Sequence, residues 1–453
     1  MRNEHVEMKS RCAMLLAFIV TLAGAAGSDR ASGASPSIGG YNVYYGQLHS
    51  HTTLSDGSGK PDEAYRYARD TAKLDFFSIA DHCSYPYDRM MTVAEYQGMQ
   101  ATANSYNHDG VYVTFWGFEW TSDDTSWGGP STLLGKGHLT IINSPDFCRA
   151  TDQASNDLNE LVNWMSTRDV VAFFNHPGQY NTTFDTFVFN HTDKIVGMEL
   201  WNGSTDYYGN DGYYGNDGDL GYYDEALTRG WYIGATGSGD NHSSDWGTRN
   251  EWRMAVLAPE KTRASIYGAM KARRFYSSRD KNLALSFKCN GAQMGSRIAG
   301  GTLNIEIEAT DADSEIVSRI ELLKNGTVVQ TWTPNVTNPR VTTTQDGRQG
   351  DDFCVRVYQS GTWAAISSPV FIISSRADVT PPLISTLSPA DGAPGVAAGA
   401  NLARSRIAVP GRAPALAASD NGAARSSAKR AETAPVLPIV APSSAARSRR
   451  LRW

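Results

Sequence analysis

The sequence predicts an α/β protein: a parallel sheet closed into a barrel, followed by a small all-β module. Three observations carry this expectation. From residue 44 to about residue 278, short apolar β-type runs alternate with helical stretches. Such repeats build a parallel sheet, and this many suggest a barrel. Most of the candidate metal ligands stand at the C-terminal ends of those runs, where barrel active sites sit. From residue 283 to about residue 373 the pattern changes to alternation of apolar and polar residues, as antiparallel strands with one buried face require.

The elements follow in order. Residues 44–48 read as a short strand. Residues 62–73 read as a helix, with Ala64, Tyr67, Ala68 and Thr71 at helical spacing. Residues 75–80 form an apolar strand ending in Asp81-His82, and residues 111–118 another, ending in Glu119. Residues 138–143 form a strand that His138 begins, so this histidine alone is expected at the opposite end of its strand. Residues 156–168 read as a helix and 170–174 as a strand ending in Asn175-His176-Pro177. Residues 194–200 and 231–235 complete the strands, and residues 262–273 close the series with a helix. Between Asp206 and Asp224 the unit Tyr-Tyr-Gly-Asn-Asp-Gly occurs twice in tandem. It is too turn-rich for a strand and reads either as a lid over the barrel mouth or as a surface insertion.

The second module contains alternating runs at 302–309, 318–323, 327–332, 353–358 and 370–373, with an Asn325-Gly326 turn between two of them. This is the pattern of a small antiparallel sandwich. Beyond it, Asp378-Val-Thr-Pro-Pro-Leu and Ser388-Pro-Ala-Asp-Gly-Ala-Pro-Gly-Val resemble the opening of a bacterial Ig-like repeat, at 377–400. The pattern then dissolves into Ala, Arg, Ser and Pro over 401–453. That composition cannot build a core and is expected to be disordered, which suggests a truncated or frame-shifted end.

At the N-terminus, Lys9 and Arg11 precede an apolar run over 12–23 and small residues through Gly27. This predicts a secretory signal over 1–27, too short for a comfortable membrane span, and a secreted or periplasmic protein. Its removal leaves Cys83, Cys148, Cys289 and Cys354. An even number in an exported chain favours disulfides, with Cys83–Cys148 and Cys289–Cys354 each inside one expected domain. The formal charge is −6, which gives no sign of a specific nucleic-acid partner.

The chemistry concentrates in two segments, His49-Ser-His51 and Asp240-Asn-His242. Residues i and i+2 of a strand point to one side, so each segment can close two ligands on one ion. Between them lie Asp56, Asp81-His82, Glu119, His138 and His176, a set of N and O ligands suited to Zn²⁺, Mn²⁺ or Fe. Gly46-Gln-Leu-His-Ser-His-Thr-Thr-Leu-Ser-Asp-Gly57, Ile79-Ala-Asp-His82, Gly117-Phe-Glu119, Gly137-His138, Asn175-His-Pro177 and Gly237-Ser-Gly-Asp-Asn-His242 resemble the polymerase and histidinol phosphatase (PHP) family. They are most similar to its exported, carbaryl-hydrolase-like branch.

The resemblance implies a distorted (β/α)7 barrel over 41–280, with the sandwich at 281–376 and two or three divalent ions. It implies that His49, His51, Glu119 and Asp240 hold a first ion, and that Glu119 bridges to a second on His138 and His176. Asp56, His82 and His242 would hold a third; the family often has histidine where Asp56 stands. Asp81, Glu199 and Asn241, with Asn202, are expected behind the ligands, Asp81 orienting an imidazole. Ions sharing a carboxylate can hold a hydroxide nucleophile at neutral pH, with Asp240 and Glu119 beside it as catalytic groups. The expected activity is a phosphoesterase acting on a small molecule. A carboxylic ester or carbamate hydrolase, and a non-catalytic surface-binding protein on a degenerate barrel, remain open at this point.

Overall fold

The computed structural model describes residues 35–83, 91–121, 137–149, 155, 158–176, 192–202 and 222–373. The expected signal (1–27), the Ig-like repeat start and tail (377–453), and the tandem tyrosine repeat (207–218) lie outside the described residues. The chain divides into two compact units, 1–385 and 386–453, and every described residue belongs to the first. Among the described residues no helix is long and apolar enough to cross a membrane.

The fold is mixed α/β, rich in sheet and poor in helix. In chain order it runs β1 (Ser37–Ile38), β2 (Tyr41–Gln47), α1 (Pro61–Asp70), β3 (Phe76–Ile79), α2 (Val93–Tyr106), β4 (Val113–Thr121), β5 (His138–Ile142), α3 (Leu158–Ser166), β6 (Val171–Phe174), β7 (Ile195–Trp201), α4 (Tyr222–Thr228), β8 (Gly234–Gly237), β9 (Arg253–Ala258), α5 (Arg263–Lys271) and β10 (Phe275–Ser278). There follow β11 (Leu283–Cys289), β12 (Ala292–Gln293), β13 (Arg297–Ala299), β14 (Gly301–Asp311), β15 (Val317–Lys324), β16 (Thr327–Trp332), β17 (Arg340–Gly347), β18 (Asp352–Gln359), β19 (Thr362–Ser367) and β20 (Val370–Ile373).

The strands of the first part lie side by side in the order β10-β9-β2-β3-β4-β5-β6-β7-β8. Parallel pairing joins β2 to β3, β3 to β4, β6 to β7 and β7 to β8. The expectation of an all-parallel sheet fails at β9, antiparallel to both β2 and β10, and at β5, which is antiparallel to both β4 and β6. Its register begins by pairing His138 with Thr121, the last residue of β4. The chain therefore re-enters the sheet at the end where β4 leaves it, as an antiparallel pair requires. This inversion brings His138 to the same pole as the ends of the parallel strands.

Adjacent side chains of these strands go to opposite faces. Phe77, Phe118, Ile141 and Phe174 join a core with α1, α2 and α3. Phe76, Phe115, Ile142 and Phe173 join another, closed by Ile266, Ala269 and Met270 of α5. Helices thus cover both faces, which explains why the strands read as nearly continuous apolar runs. Burying each phenylalanine contributes on the order of 2 kcal/mol. Gly46 allows β2 and β3 to close up, because a Cβ there would lie 2.2 Å from the Phe76 carbonyl oxygen.

Helix α2 was not expected. Its signal is a capping box: Glu95 N donates to the Thr92 hydroxyl and Thr92 N donates to Glu95. Its buried face holds only Tyr96, Met99 and Ala103, so apolar periodicity is faint.

In the second part, β12-β11-β14-β17 form one sheet. The other is continuous with the first part, because β10 pairs with β9 on one side and β19 on the other. The expected alternation is plain in β14, where Leu303, Ile305, Ile307 and Ala309 are buried. They meet Leu322, Val355 and Val357 of the facing sheet in one apolar cluster.

The expected disulfides are absent, and all four cysteines are thiols. Cys83 Sγ donates to the carbonyl of Cys148 at 3.1 Å. Cys289 faces the inter-sheet core together with Phe353, Val355 and Val357. Cys354 alternates with those residues along β18 and points the other way, so the second pair cannot meet.

Candidate metal centre

The strand ends converge at one pole. His49 and His51 leave β2, His82 leaves β3, Glu119 lies near the end of β4, and His138 opens β5. His176 leaves β6, and Asp240 and His242 follow β8. Two short bridges lock the segments together: Ser50 pairs with Asn241, and His82 with Glu119, both in parallel sense. Asp240 (φ 43°) and His176 (φ 24°) hold left-handed backbone without being glycine, a strain typical of functional sites.

The side chains form three groups of donor atoms, each within 4.8 Å of one another. In the first, His49 Nε2 lies 3.1 Å from Glu119 Oε2 and 3.1 Å from Asp240 Oδ1. His51 Nε2 lies 3.3 and 3.0 Å from the same two oxygens, and the two imidazole nitrogens are 3.2 Å apart. A tetrahedron with Zn–ligand bonds of about 2.1 Å has edges of about 3.4 Å, so these four atoms enclose a space of the right size for an ion.

The second group is Glu119, His138 and His176, with Glu119 Oε1 2.9 Å from His138 Nδ1 and 3.3 Å from His176 Nε2. The third is His51, Asp56, His82 and His242. Here Asp56 Oδ2 lies 3.3 Å from His242 Nε2, and Asp56 Oδ1 lies 3.9 Å from His82 Nε2. His51 belongs to this group as well as to the first, its Nδ1 lying 3.7 Å from Asp56. The first two groups are sealed, whereas the His242 side chain is 39% exposed and that of Asp56 29%.

The electrostatics show what this pocket demands. Burial opposes charge on Glu119, but His49, His82 and His138 hold it well below the usual carboxylate range. Burial likewise opposes charge on Asp240, and His49 and His51 outweigh it. Burial works against a charged His51, yet its hydrogen bonds to Asp240 and Glu119 raise it to about 10. His82 and His138, by contrast, are pushed down by burial. Two buried carboxylates thus stay ionised and draw positive charge among neutral imidazoles, and a divalent ion can replace the protons. The donor set fits Zn²⁺, Mn²⁺ or Fe.

The residues behind the ligands divide by role. Glu199 Oε1 lies 3.0 Å from His49 Nδ1, and Glu199 Oε2 accepts the His176 backbone N–H at 2.9 Å and the Asn202 amide at 2.5 Å. Among the described residues Asp81 makes no direct bond to an imidazole, and it reaches His51 through Ser55, whose Oγ lies 3.5 Å from His51 Nδ1. It accepts from Thr52 N at 2.7 Å, the Thr52 hydroxyl at 2.6 Å and Ser55 Oγ at 2.6 Å. It therefore braces the turn that carries His51 and Asp56. Asn241 Oδ1 accepts from Ser243 N at 2.8 Å, and the Asn241 carbonyl accepts from His51 N at 2.8 Å.

Three positioning groups escaped the sequence reading. Asn175 donates to Glu119 Oε1 at 2.7 Å, and Thr121 Oγ1 lies 3.0 Å from His82 Nδ1. The Ser238 hydroxyl donates to the His49 carbonyl at 3.0 Å. Their only signal is adjacency to a ligand or a strand end.

No family model matches the chain. It is 22% identical over 368 residues to an uncharacterized protein of Chlamydia muridarum, covering 73% of this chain and 57% of that protein. An uncharacterized protein of Chlamydia trachomatis serovar D shows the same identity and coverage. The chain thus spans 57% of the length of these curated relatives. Among solved structures it is similar to a two-domain protein from Bacteroides vulgatus described as containing a predicted PHP-like metal-dependent phosphoesterase. The identity is 16%, the TM-score 0.42, and the match covers 74% of this chain and 97% of that one. A Jonesia denitrificans lytic polysaccharide monooxygenase matches 18% of this chain and 57% of its own, at 20% identity and a TM-score of 0.15.

Proposed function

We propose that this chain is an exported metal-dependent hydrolase of the PHP type, acting as a phosphoesterase on a small molecule. Its first part is read as a distorted (β/α)7 barrel and its second as an Ig-like sandwich. One observation carries the catalytic reading: Glu119 presents Oε2 to His49 and His51 and Oε1 to His138 and His176. A carboxylate placed this way spans two adjacent ion sites.

Bound divalent ions supply a water-derived nucleophile at neutral pH and a positive field for charge growing on substrate oxygens. The protein's own groups do the rest. Asp240 directs Oδ1 at the first group and holds Oδ2 4.0 Å from His176 Nε2, so a carboxylate oxygen faces the space between the groups and can accept a proton. Glu199 fixes the ring of His49, and Asn175 fixes the Glu119 carboxylate. The exposure of His242 and Asp56 makes the third group the side from which substrate enters.

The test is to purify the mature form with Mn²⁺ or Zn²⁺, count metals per chain, and assay aryl phosphates against aryl carbamates. Two or three ions and turnover of the phosphate, lost in His49→Ala, support the reading. Turnover of carbamate or carboxylic ester alone would move the chemistry to those substrates. Absence of metal, or equal activity after His49→Ala, refutes the mechanism and leaves the non-catalytic binding protein.

A further inference from the structure

Arg279 follows β10 directly, and its guanidinium lies 5.0 Å from the ring centroid of Trp201. Both residues stand at the metal-bearing pole. Trp201, the last residue of β7, pairs with Gly237, the end of β8, and Asp240 follows β8. Ser278 pairs with Arg253, where β9 returns from the loop that carries His242. Trp252 lies beside Trp201, with ring centroids 5.9 Å apart, so the guanidinium rests on a firm aromatic wall.

Three other cations near this pole have partners among the described residues. Arg249 pairs with Asp245, Lys281 pairs with Glu251, and Arg253 donates to the carbonyls of Asn250, Trp252 and Gly247. Among the described residues no carboxylate pairs with Arg279. It is nevertheless partly buried, and burial pushes its pKa down. Desolvating a cation without a counter-charge is unfavourable, which calls for an anion. Stacking uses the face of the guanidinium and leaves its N–H edge as a planar fork that fits a carboxylate or phosphate with two parallel hydrogen bonds.

We infer that Arg279, seated on Trp201, receives a second anionic group of the substrate, a carboxylate or phosphate carried beyond the ester held at the metal centre. The inference rests on the hydrolase reading of that pole and narrows it to esters with an additional negative charge.

Binding tests this without turnover. The full mature chain, loaded with Zn²⁺, is titrated by calorimetry with phenylphosphonate and with 4-carboxyphenylphosphonate. The wild type should prefer the carboxylated ligand by about tenfold or more. R279Q should abolish that preference, R279K should keep only part of it, because lysine offers no fork, and R340Q, on distant β17, should keep all of it. Melting curves confirm that the variants are folded. No preference in the wild type, a preference that survives R279Q, or no binding of either phosphonate overturns the inference. The phosphoesterase reading is decided separately, by turnover of the uncarboxylated aryl phosphate.

Discussion

Glu199 lies 3.0 Å from His49 Nδ1, which turns the opposite nitrogen, Nε2, toward Glu119 and Asp240. A carboxylate behind a ligand imidazole fixes its tautomer and raises its basicity, and loss of such a partner weakens metal binding by about 10- to 100-fold. Glu199→Gln keeps the shape and removes the charge. Metal titration of the variant should show affinity at the first group lower by about tenfold, the gentle end of that range. Unchanged affinity would mean that Glu199 serves only to hold the His176 backbone.

Stability should respond to the ions through the same groups. A ligand bound only by the folded state stabilises it by about 2.7 kcal/mol at a hundred times its Kd. Thermal melts with and without Zn²⁺ or Mn²⁺ should therefore separate by several degrees. Glu119→Gln touches two of the three groups and should remove most of that separation. The histidines that hold the Glu119 carboxylate ionised make its charge stabilising even without metal, so the metal-free variant should melt below the metal-free wild type, and the readout is the size of the shift on adding metal. A metal-dependent shift of full size in the variant would exclude Glu119 as a shared ligand.

Much of this pole was legible beforehand because its ligands sit at abrupt ends of apolar runs, a local signal. What stayed hidden depends on pairing between distant segments. His138 was expected at the far end of its strand, since nothing in residues 138–143 reveals that β5 runs backwards between β4 and β6. The resemblance places His51 on one ion, yet its two ring nitrogens face two groups. The sequence puts Asp81 behind an imidazole, while Thr52 and Ser55 claim its oxygens. The cysteine pairing followed expected domain membership, and β18 alternation turns Cys354 away from Cys289. Helix α2 has a capping signal but little amphipathic pattern, so periodicity alone passed over it.

The third group can be tested separately from the other two. Asp56 appears only there, and it is accompanied by the exposed His242. Asp56→Ala should lower the metal content by one ion per chain and leave the first two groups filled, as read by elemental analysis after gel filtration. Loss of all metal would show that the groups fill as one unit.

A pair of carboxyls away from the metal pole should set the slope of stability between about pH 4 and pH 7. Burial pushes Asp352 up to about 7, with Asp224 adding to the shift, and burial pushes Asp224 up to about 6 against the pull of Arg356. Among the described residues Asp352 Oδ1 has no hydrogen-bond partner, so nothing there favours the ionised form. A raised carboxyl pKa means that the folded chain holds a proton the unfolded chain releases near pH 4. The associated stability is complete below that pH and is lost as pH rises through about 7. Asp352→Asn stays neutral throughout, so its stability relative to wild type should climb between about pH 4 and pH 7 and then level off, by an amount on the order of a few kcal/mol. Denaturant unfolding of both proteins across pH 4.5–8 measures it. Parallel pH profiles would show that Asp352 ionises in the folded chain at an ordinary pKa.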